Sequence, residues 1–258
     1  MESIDKPGVL ITRPLDQIED VSTLIEQQGA HAVPFPLLDI VPVSHQDNVD
    51  RLILDADQYS LSIFISRNAV RFGVPCLTGL WQGLPEHMLW IGVGRSTADE
   101  MAQHDISGTF PGLASTEGVL SMEETRRIKN KRVLIIRGQG GRERLATTLR
   151  ERGAQVDYLE VYRRQRHPWT HEQLMHRLAA DGIQAVIVTS GEALAHFDDL
   201  LGNASVGKSL TLFLPSPRLK DLAVKLGFER VRLTNGADKK AMAGEFARWM
   251  SEQQPDKL

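Results

Sequence analysis

The sequence has few of the features that mark secreted, membrane or nucleic-acid-binding proteins. A single cysteine, Cys76, cannot form an internal disulfide, which is typical of a reducing cytoplasm. No apolar run approaches the roughly 20 residues that span a bilayer, and the first residues lack the pattern of a secretory signal. The net charge of -3 argues against a basic surface that attracts nucleic acid. These absences predict a cytoplasmic protein without membrane or nucleic-acid partners.

What is present is an ordinary globular composition and an internal repeat. Hydrophobic residues are 41% and charged residues 24% of the chain, which excludes an intrinsically disordered protein, and 258 residues allow one large domain or two small ones. Residues 9–13 (VLITR) resemble residues 133–137 (VLIIR), and residues 63–66 (IFIS) resemble residues 187–190 (IVTS), both at an offset of 124 residues. A repeat of this length indicates duplication of a domain-sized unit.

Each half alternates short apolar runs with stretches of helical periodicity, which predicts parallel sheets covered by helices on both faces. The strand, helix and helix-ending glycine predicted at the start of each half are residues 9–12, 15–28 and Gly29, and residues 133–136, 142–152 and Gly153. Two proline-bearing extended segments, residues 34–43 and 159–168, break the alternation. Because proline confines strands to edges or connections, these segments are candidate linkers between domains.

The candidate site residues follow the predicted strands, because ligands of open α/β sheets bind at the carboxyl ends of the strands. They are small hydroxyl residues and arginines, which suit an acidic ligand together with helix N-termini. The set comprises Arg13, Ser66, Thr97, Arg137, Ser190 and Ser216. The alternative is that the hydroxyl residues only cap helices, as Ser and Thr commonly do.

A glycine-rich string, residues 137–143 (RGQGGRE), follows a predicted strand and opens a predicted helix. A dinucleotide fingerprint has that setting, but Glu143 stands where its third glycine belongs. We therefore favour a loop in which Gly138 and Gly140 bind a carboxylate or make a tight turn. Tyr162 ends a predicted strand in the second linker segment, where it has either a functional role or that of a half-buried strand tyrosine.

Four strings in order and spacing resemble the uroporphyrinogen-III synthase family, in particular its proteobacterial type. They are residues 9–14 (VLITRP), 91–98 (IGVGRSTA), 137–143 (RGQGGRE) and 188–194 (VTSGEAL). The resemblance implies two flavodoxin-like α/β domains with parallel sheets, related by internal duplication and joined by a two-stranded linker. It implies one lobe from residues 1–37 and 172–258, a second from residues 44–162, and linker segments 38–43 and 163–171.

The resemblance also implies a reaction, in which hydroxymethylbilane is cyclised to uroporphyrinogen III with inversion of ring D and loss of water. This cyclising hydro-lyase step belongs to haem and sirohaem biosynthesis and uses neither cofactor nor metal. By correspondence, Tyr162 is the acid near the departing hydroxide. Ser66, Thr97, Ser190 and Ser216 correspond to hydroxyl positions that bind substrate, although the prolines flanking Ser216 depart from the family pattern.

Arg13 and Arg137 are carboxylate-binding candidates from their strand-end positions alone. The expected partners are the linear tetrapyrrole substrate and, transiently, the preceding enzyme of the pathway, and we expect a monomer. Two other classes fit parts of the sequence. A non-catalytic two-lobed binding protein for an acidic small molecule fits the duplication, and a nucleotide-dependent oxidoreductase fits the glycine-rich loop.

Overall fold

The computed structural model describes residues 6–43, 56–81, 83–234 and 236–253. The chain forms two compact units: unit 1 comprises Met1–Asp39 and Gln165–Leu258, and unit 2 comprises Ile40–Arg164. Parts of the predicted lobe segments, including residues 44–55 and 254–258, lie outside the described residues. Within the described ranges, no helix combines the length and the apolarity needed to cross a bilayer.

Unit 1 is built on a five-stranded sheet in the order β10-β9-β8-β1-β2. Its neighbouring strands run parallel. The strands are β1 (Gly8–Ile11), β2 (His31–Pro34), β8 (Ile183–Ile187), β9 (Thr211–Leu214) and β10 (Arg230–Leu233). The helices are α1 (Glu19–Gln27), α7 (His171–Ala180), α8 (Gly191–Leu201), α9 (Ser205–Lys208), α10 (Pro217–Lys225) and α11 (Lys239–Glu252).

Alternate residues of these strands enter two separate cores, as the period of a strand requires. Leu10 packs with Phe197 of α8 on one face, whereas Ile11 packs with Ile25 of α1 and Phe246 of α11 on the other. Both faces of the sheet are therefore buried, which explains why the strands read as continuous apolar runs and confirms the predicted parallel α/β class.

Unit 2 is built on a second five-stranded sheet, in the order β3-β7-β6-β4-β5. The pairs of β4 with β5, β4 with β6 and β6 with β7 are parallel. The strands are β3 (Leu38–Pro42), β4 (Tyr59–Phe64), β5 (Leu89–Gly92), β6 (Arg132–Gly138) and β7 (Gln155–Arg166). The helices are α2 (Arg67–Trp81), α3 (Arg95–Ala102), α4 (Thr116–Ser121), α5 (Glu123–Arg126) and α6 (Arg144–Glu151). Ile136 of β6 packs towards α2 and Ile135 towards α6, so this sheet is also covered on both faces.

Three local predictions differ from the structure. The predicted helix 15–28 is a 3-10 turn at Leu15–Gln17 followed by α1. The second predicted helix, from residue 142, begins only at Arg144, and Glu143 is its N-cap residue. The strand predicted to end at Tyr162 continues to Arg166 with exposed side chains, so apolarity alone could not show its full length.

Candidate functional site

A cavity of about 210 Å³ lies at the carboxyl ends of the strands in unit 2. Ile65 and Val93, which follow β4 and β5, line it together with Gly138 at the end of β6. From β4 the chain proceeds to β5 on one side of the sheet, and from β6 to β7 on the other. The cavity therefore lies at a topological switch point, where open α/β sheets bind their ligands.

Tyr162 lines this cavity, and both its ring and its backbone contact neighbouring residues. The residue is 5% exposed, and its ring lies 5.9 Å from the Phe72 ring, centroid to centroid. Its carbonyl oxygen accepts a hydrogen bond from the amide of Gln139 at 2.7 Å. The ring lies so close to Gly138 that a Cβ added there would be 2.5 Å from Cε2. A glycine is therefore needed at position 138 to let the Tyr162 ring lie against the backbone, and the sequence alone did not reveal this requirement.

A register shift between β6 and β7 puts Tyr162 over Gly138. Arg137 pairs with Glu160, but the next residue of β6, Gly138, pairs with Tyr162, so β7 carries one extra residue at this point. Bulges of this kind redirect side chains and are common beside functional sites.

The Tyr162 hydroxyl forms a hydrogen bond with Oγ of Ser66 at 3.1 Å, and either oxygen can donate. Ser66 also accepts from the amide of Ala69 at 3.0 Å, as a helix cap does at the start of α2. The pair carries two hydroxyl protons and uses one in its mutual bond. When Ser66 donates, the phenolic proton of Tyr162 is not used in this bond.

Arg137 is almost completely buried, and its guanidinium contacts protein groups on several sides. Nη1 lies 2.9 Å from Oε1 of Glu143, Nε donates to the Gly138 carbonyl at 3.2 Å, and Nη2 donates to the Gly140 carbonyl. The guanidinium carbon lies 4.6 Å from the centroid of the Tyr158 ring. This geometry favours a role for Arg137 in holding the glycine-rich loop. Its predicted contact with a substrate carboxylate stays a prediction.

Glu143 and Tyr158 complete the polar wall behind this loop. The Tyr158 hydroxyl donates to Oε2 of Glu143. This bond and the neighbouring Arg137 lower the pKa of Glu143 below its ordinary value. Burial, and then the bond to the carboxylate, raise the pKa of Tyr158. Glu143 is therefore an anion and Tyr158 a neutral donor at neutral pH.

The structure thus brings Ser66, Arg137, Gly138, Gly140 and Tyr162 to one cavity or its wall. Sequence reasoning missed Tyr158, Arg142 and Arg164, which also line it. Tyr158 and Tyr162 both lie on β7, but the bulge between them places Tyr158 against the core on the α6 face and Tyr162 in the core on the α2 face, so spacing along the strand could not reveal Tyr158. Arg142 and Arg164 gave no signal beyond their charge.

Thr97 and the candidates of unit 1 have different surroundings. Thr97 is 2% exposed and lies near Gly92 at the end of β5. Ser190 caps α8 by accepting from the Ala193 amide at 3.1 Å, and Ser216 caps α10 by accepting from the Leu219 amide at 3.4 Å. Ser66, Ser190 and Ser216 therefore act as helix caps, whatever further role they have.

Arg13 follows β1 in unit 1, and its Nη2 donates to the carbonyl of Ala237. The same nitrogen lies 3.7 Å from the sulfur of Met242 in α11. Like Arg137, Arg13 thus contacts protein groups at a strand end, and its predicted contact with a carboxylate stays a prediction.

Comparison with known proteins identifies the family. A sequence model described as "Uroporphyrinogen-III synthase HemD" matches residues 19–244. The uroporphyrinogen-III synthase of Proteus mirabilis is 37% identical over 161 residues, which cover 61% of this chain and 80% of that protein. The uroporphyrinogen-III synthase of Salmonella typhimurium is 30% identical over 242 residues, covering 91% of this chain and 98% of that protein.

The fold is shared with solved structures. The crystal structure of uroporphyrinogen-III synthetase from Helicobacter pylori superposes with a TM-score of 0.60 at 16% identity, covering 95% of this chain and 99% of that chain. The sequence matches extend over most of the chain and show that the chain belongs to the uroporphyrinogen-III synthase family.

Proposed function

We propose that this chain is a cyclising lyase that converts hydroxymethylbilane to uroporphyrinogen III, with inversion of ring D and loss of water. Family membership supports this activity over a non-catalytic binding protein and over a nucleotide-dependent oxidoreductase. The observation that carries the proposal is the hydrogen-bonded pair of Tyr162 and Ser66, placed against Gly138 at the cavity of unit 2.

The chemistry begins with departure of the ring A hydroxyl group. A pyrrole nitrogen lone pair expels it while Tyr162 supplies a proton, so the group leaves as water and an azafulvene cation remains. Ring D attacks this cation through its substituted carbon, and the spiro intermediate opens and recloses with ring D inverted. The proton released when the last pyrrole regains aromaticity restores the tyrosine. A positioned acid contributes about 10²–10⁴-fold to such a step.

Positioning is the larger part of the task, because the linear tetrapyrrole also closes unaided to the symmetric type I isomer. A cavity of about 210 Å³ accommodates part of such a substrate rather than all of it. Ile65, Val93 and Ile135 offer it an apolar wall, and Arg142 offers charge for a carboxylate side chain. Fixing the reacting ring against Tyr162 reduces the entropy cost of choosing one carbon over another.

The remaining predicted contacts are kept as part of the proposal. Gly138 and Gly140 present backbone to the substrate, and Arg13, Ser190 and Ser216 contribute contacts from unit 1. Thr97 contributes only if the start of α3 moves, because its side chain is covered. We keep as predictions that the enzyme is a cytoplasmic monomer and that it transiently contacts the preceding enzyme of the pathway.

We further infer that the two units are flavodoxin-like copies of one ancestor. The offset of 124 residues relates the first residue of α2, Arg67, to the first residue of α8, Gly191. It also relates β1, β2, β8 and β9 to β6, β7, β4 and β5, and the order β9-β8-β1-β2 then matches β5-β4-β6-β7. This agreement supports lobes at 1–37 with 172–258 and at 44–162, with 38–43 and 163–171 as linkers.

The test is incubation of the purified protein with freshly generated hydroxymethylbilane, followed by separation of the isomers. We expect mostly type III product, and type I alone at the rate of the blank would refute the proposal. Tyr162→Phe should lower kcat by about 10²-fold while its unfolding free energy changes little, since the ring is retained. Unchanged kinetics would exclude Tyr162 as the acid.

A further inference from the structure

We propose that Glu143 is a positioning residue for this reaction: its carboxylate holds Arg137 and Tyr158 and thereby sets where the Tyr162 ring lies over Gly138. The inference rests on the proposed function, because its readout is the isomer that the enzyme makes. Glu143 directly precedes α6, and its side chain is 58% exposed, so it lies on the outer side of the loop.

Both carboxylate oxygens of Glu143 are engaged by groups from the sheet. Oε1 accepts from Nη1 of Arg137 at 2.9 Å, and Oε2 accepts from the hydroxyl of Tyr158. Arg137 lies on β6 and Tyr158 on β7, so one side chain ties the start of α6 to two neighbouring strands. The Arg137 guanidinium also lies over the Tyr158 ring, which closes the contact among the three residues.

The connection from this cluster to Tyr162 is a single peptide group. The carbonyl of Gly138 accepts from Nε of Arg137 at 3.2 Å. The amide of Gln139, which belongs to the same planar peptide, donates to the carbonyl of Tyr162 at 2.7 Å. A tilt of the Arg137 guanidinium therefore tilts the peptide between Gly138 and Gln139, which is hydrogen-bonded to the backbone of Tyr162.

Charge makes the arrangement depend on Glu143 in particular. Arg137 is 4% exposed on its side chain, and the other carboxylate near it, Glu160, lies farther away at 3.9 Å from Nε. Removing Glu143 leaves a buried cation that turns towards other acceptors, which include the carboxylates of the substrate. Loss of Glu143 should thus lower kcat and the selectivity for type III without weakening the binding of a polyanion.

The experiment compares Glu143→Ala with Glu143→Gln in the full-length protein. Glu143→Ala should lower kcat about tenfold and lower the fraction of type III product, with KM unchanged or reduced. Glu143→Gln should restore most of that fraction, because its amide oxygen accepts from Arg137 and its NH₂ group donates to the Tyr158 oxygen. The control is Glu117→Ala. It removes a carboxylate of α4 that lies 2.6 Å from Nη1 of Arg144, the first residue of α6, and it should leave the isomer fraction unchanged.

Glu143→Ala with wild-type kcat and isomer fraction would overturn the inference. The inference would also be overturned if kcat fell only in proportion to the loss of thermal stability while the product remained type III. That result would show that Glu143 has only a structural role. If Glu143→Ala does not fold, Tyr158→Phe tests the same cluster and should also lower the type III fraction, and an unchanged fraction there refutes the inference. Type I product from the wild-type protein would instead refute the proposed function, and the inference with it.

Discussion

Substituting Gly138 with alanine should disable the site through geometry alone. The added Cβ would lie 2.5, 2.6 and 2.9 Å from Cε2, Cζ and Cδ2 of the Tyr162 ring. Carbon atoms in contact are separated by about 3.5–4.0 Å, so the ring must retreat by roughly 1 Å. That displacement is enough to break the bond of 3.1 Å between the Tyr162 hydroxyl and Ser66.

The magnitudes follow from this displacement. Overpacking of this kind costs about 1–3 kcal/mol of unfolding free energy. A misplacement of about 1 Å at a reacting group costs up to about 10²-fold in rate. We therefore expect kcat of Gly138→Ala to fall by about 10²-fold and its product to shift towards type I.

A double-variant cycle distinguishes the hydroxyl from the ring. In a Tyr162→Phe background the ring atoms that clash remain, so Gly138→Ala should cost the same stability but little further kcat. The control is Gly79→Ala in α2, where an added Cβ meets no atom within 4 Å and helix propensity predicts a gain of up to about 1 kcal/mol. A Gly138→Ala protein with wild-type kcat and isomer ratio would refute this reasoning.

The remaining predictions concern caps and titration. Ser190→Ala should cost about 1 kcal/mol in urea unfolding, and more than Ser216→Ala, because its capping bond is shorter; an equal or smaller loss would contradict this. Ser190→Asn restores the cap, so a raised KM in that variant would show that the hydroxyl also binds substrate. Because the folded state raises the pKa of Tyr158 above 10.0, its contribution to stability is retained below that pH and lost as the pH rises through the raised pKa. Urea unfolding at about pH 8 and about pH 11 should show a decline that is smaller in Tyr158→Phe, and an equal decline in both proteins would contradict the assignment.

The parallel α/β architecture could be predicted because it depends on burial on both faces of a sheet. Runs such as residues 133–136 are apolar throughout, and that pattern requires cover on each side. The helix caps could also be predicted from the sequence, since Ser66 and Ser190 each follow a strand and precede a helix. Both features depend on short stretches of sequence, so they can be predicted without knowledge of distant contacts.

The residues that form the site were harder to predict from the sequence, because the site depends on contacts between segments that are distant along the chain. Arg137 contacts Glu143 and Tyr158. The sequence around it does not distinguish it from an arginine that binds a ligand. Thr97 has the right position after a strand, yet it is covered where it packs near Gly92. Which way a side chain faces at a strand end is decided by its neighbours in the sheet.

The bulge between β6 and β7 has a consequence for how this sequence tolerates change. Tyr162 reaches Gly138 because β7 is one residue longer than its partner between Glu160 and Tyr162. Deleting Val161 would make the ladder regular and leave the tyrosine opposite Gly138, on the face of the sheet where Val161 and Tyr162 now both lie. A relative that lacks this one residue could therefore keep its tyrosine over the glycine at the end of β6, whereas a two-residue deletion would remove that partner.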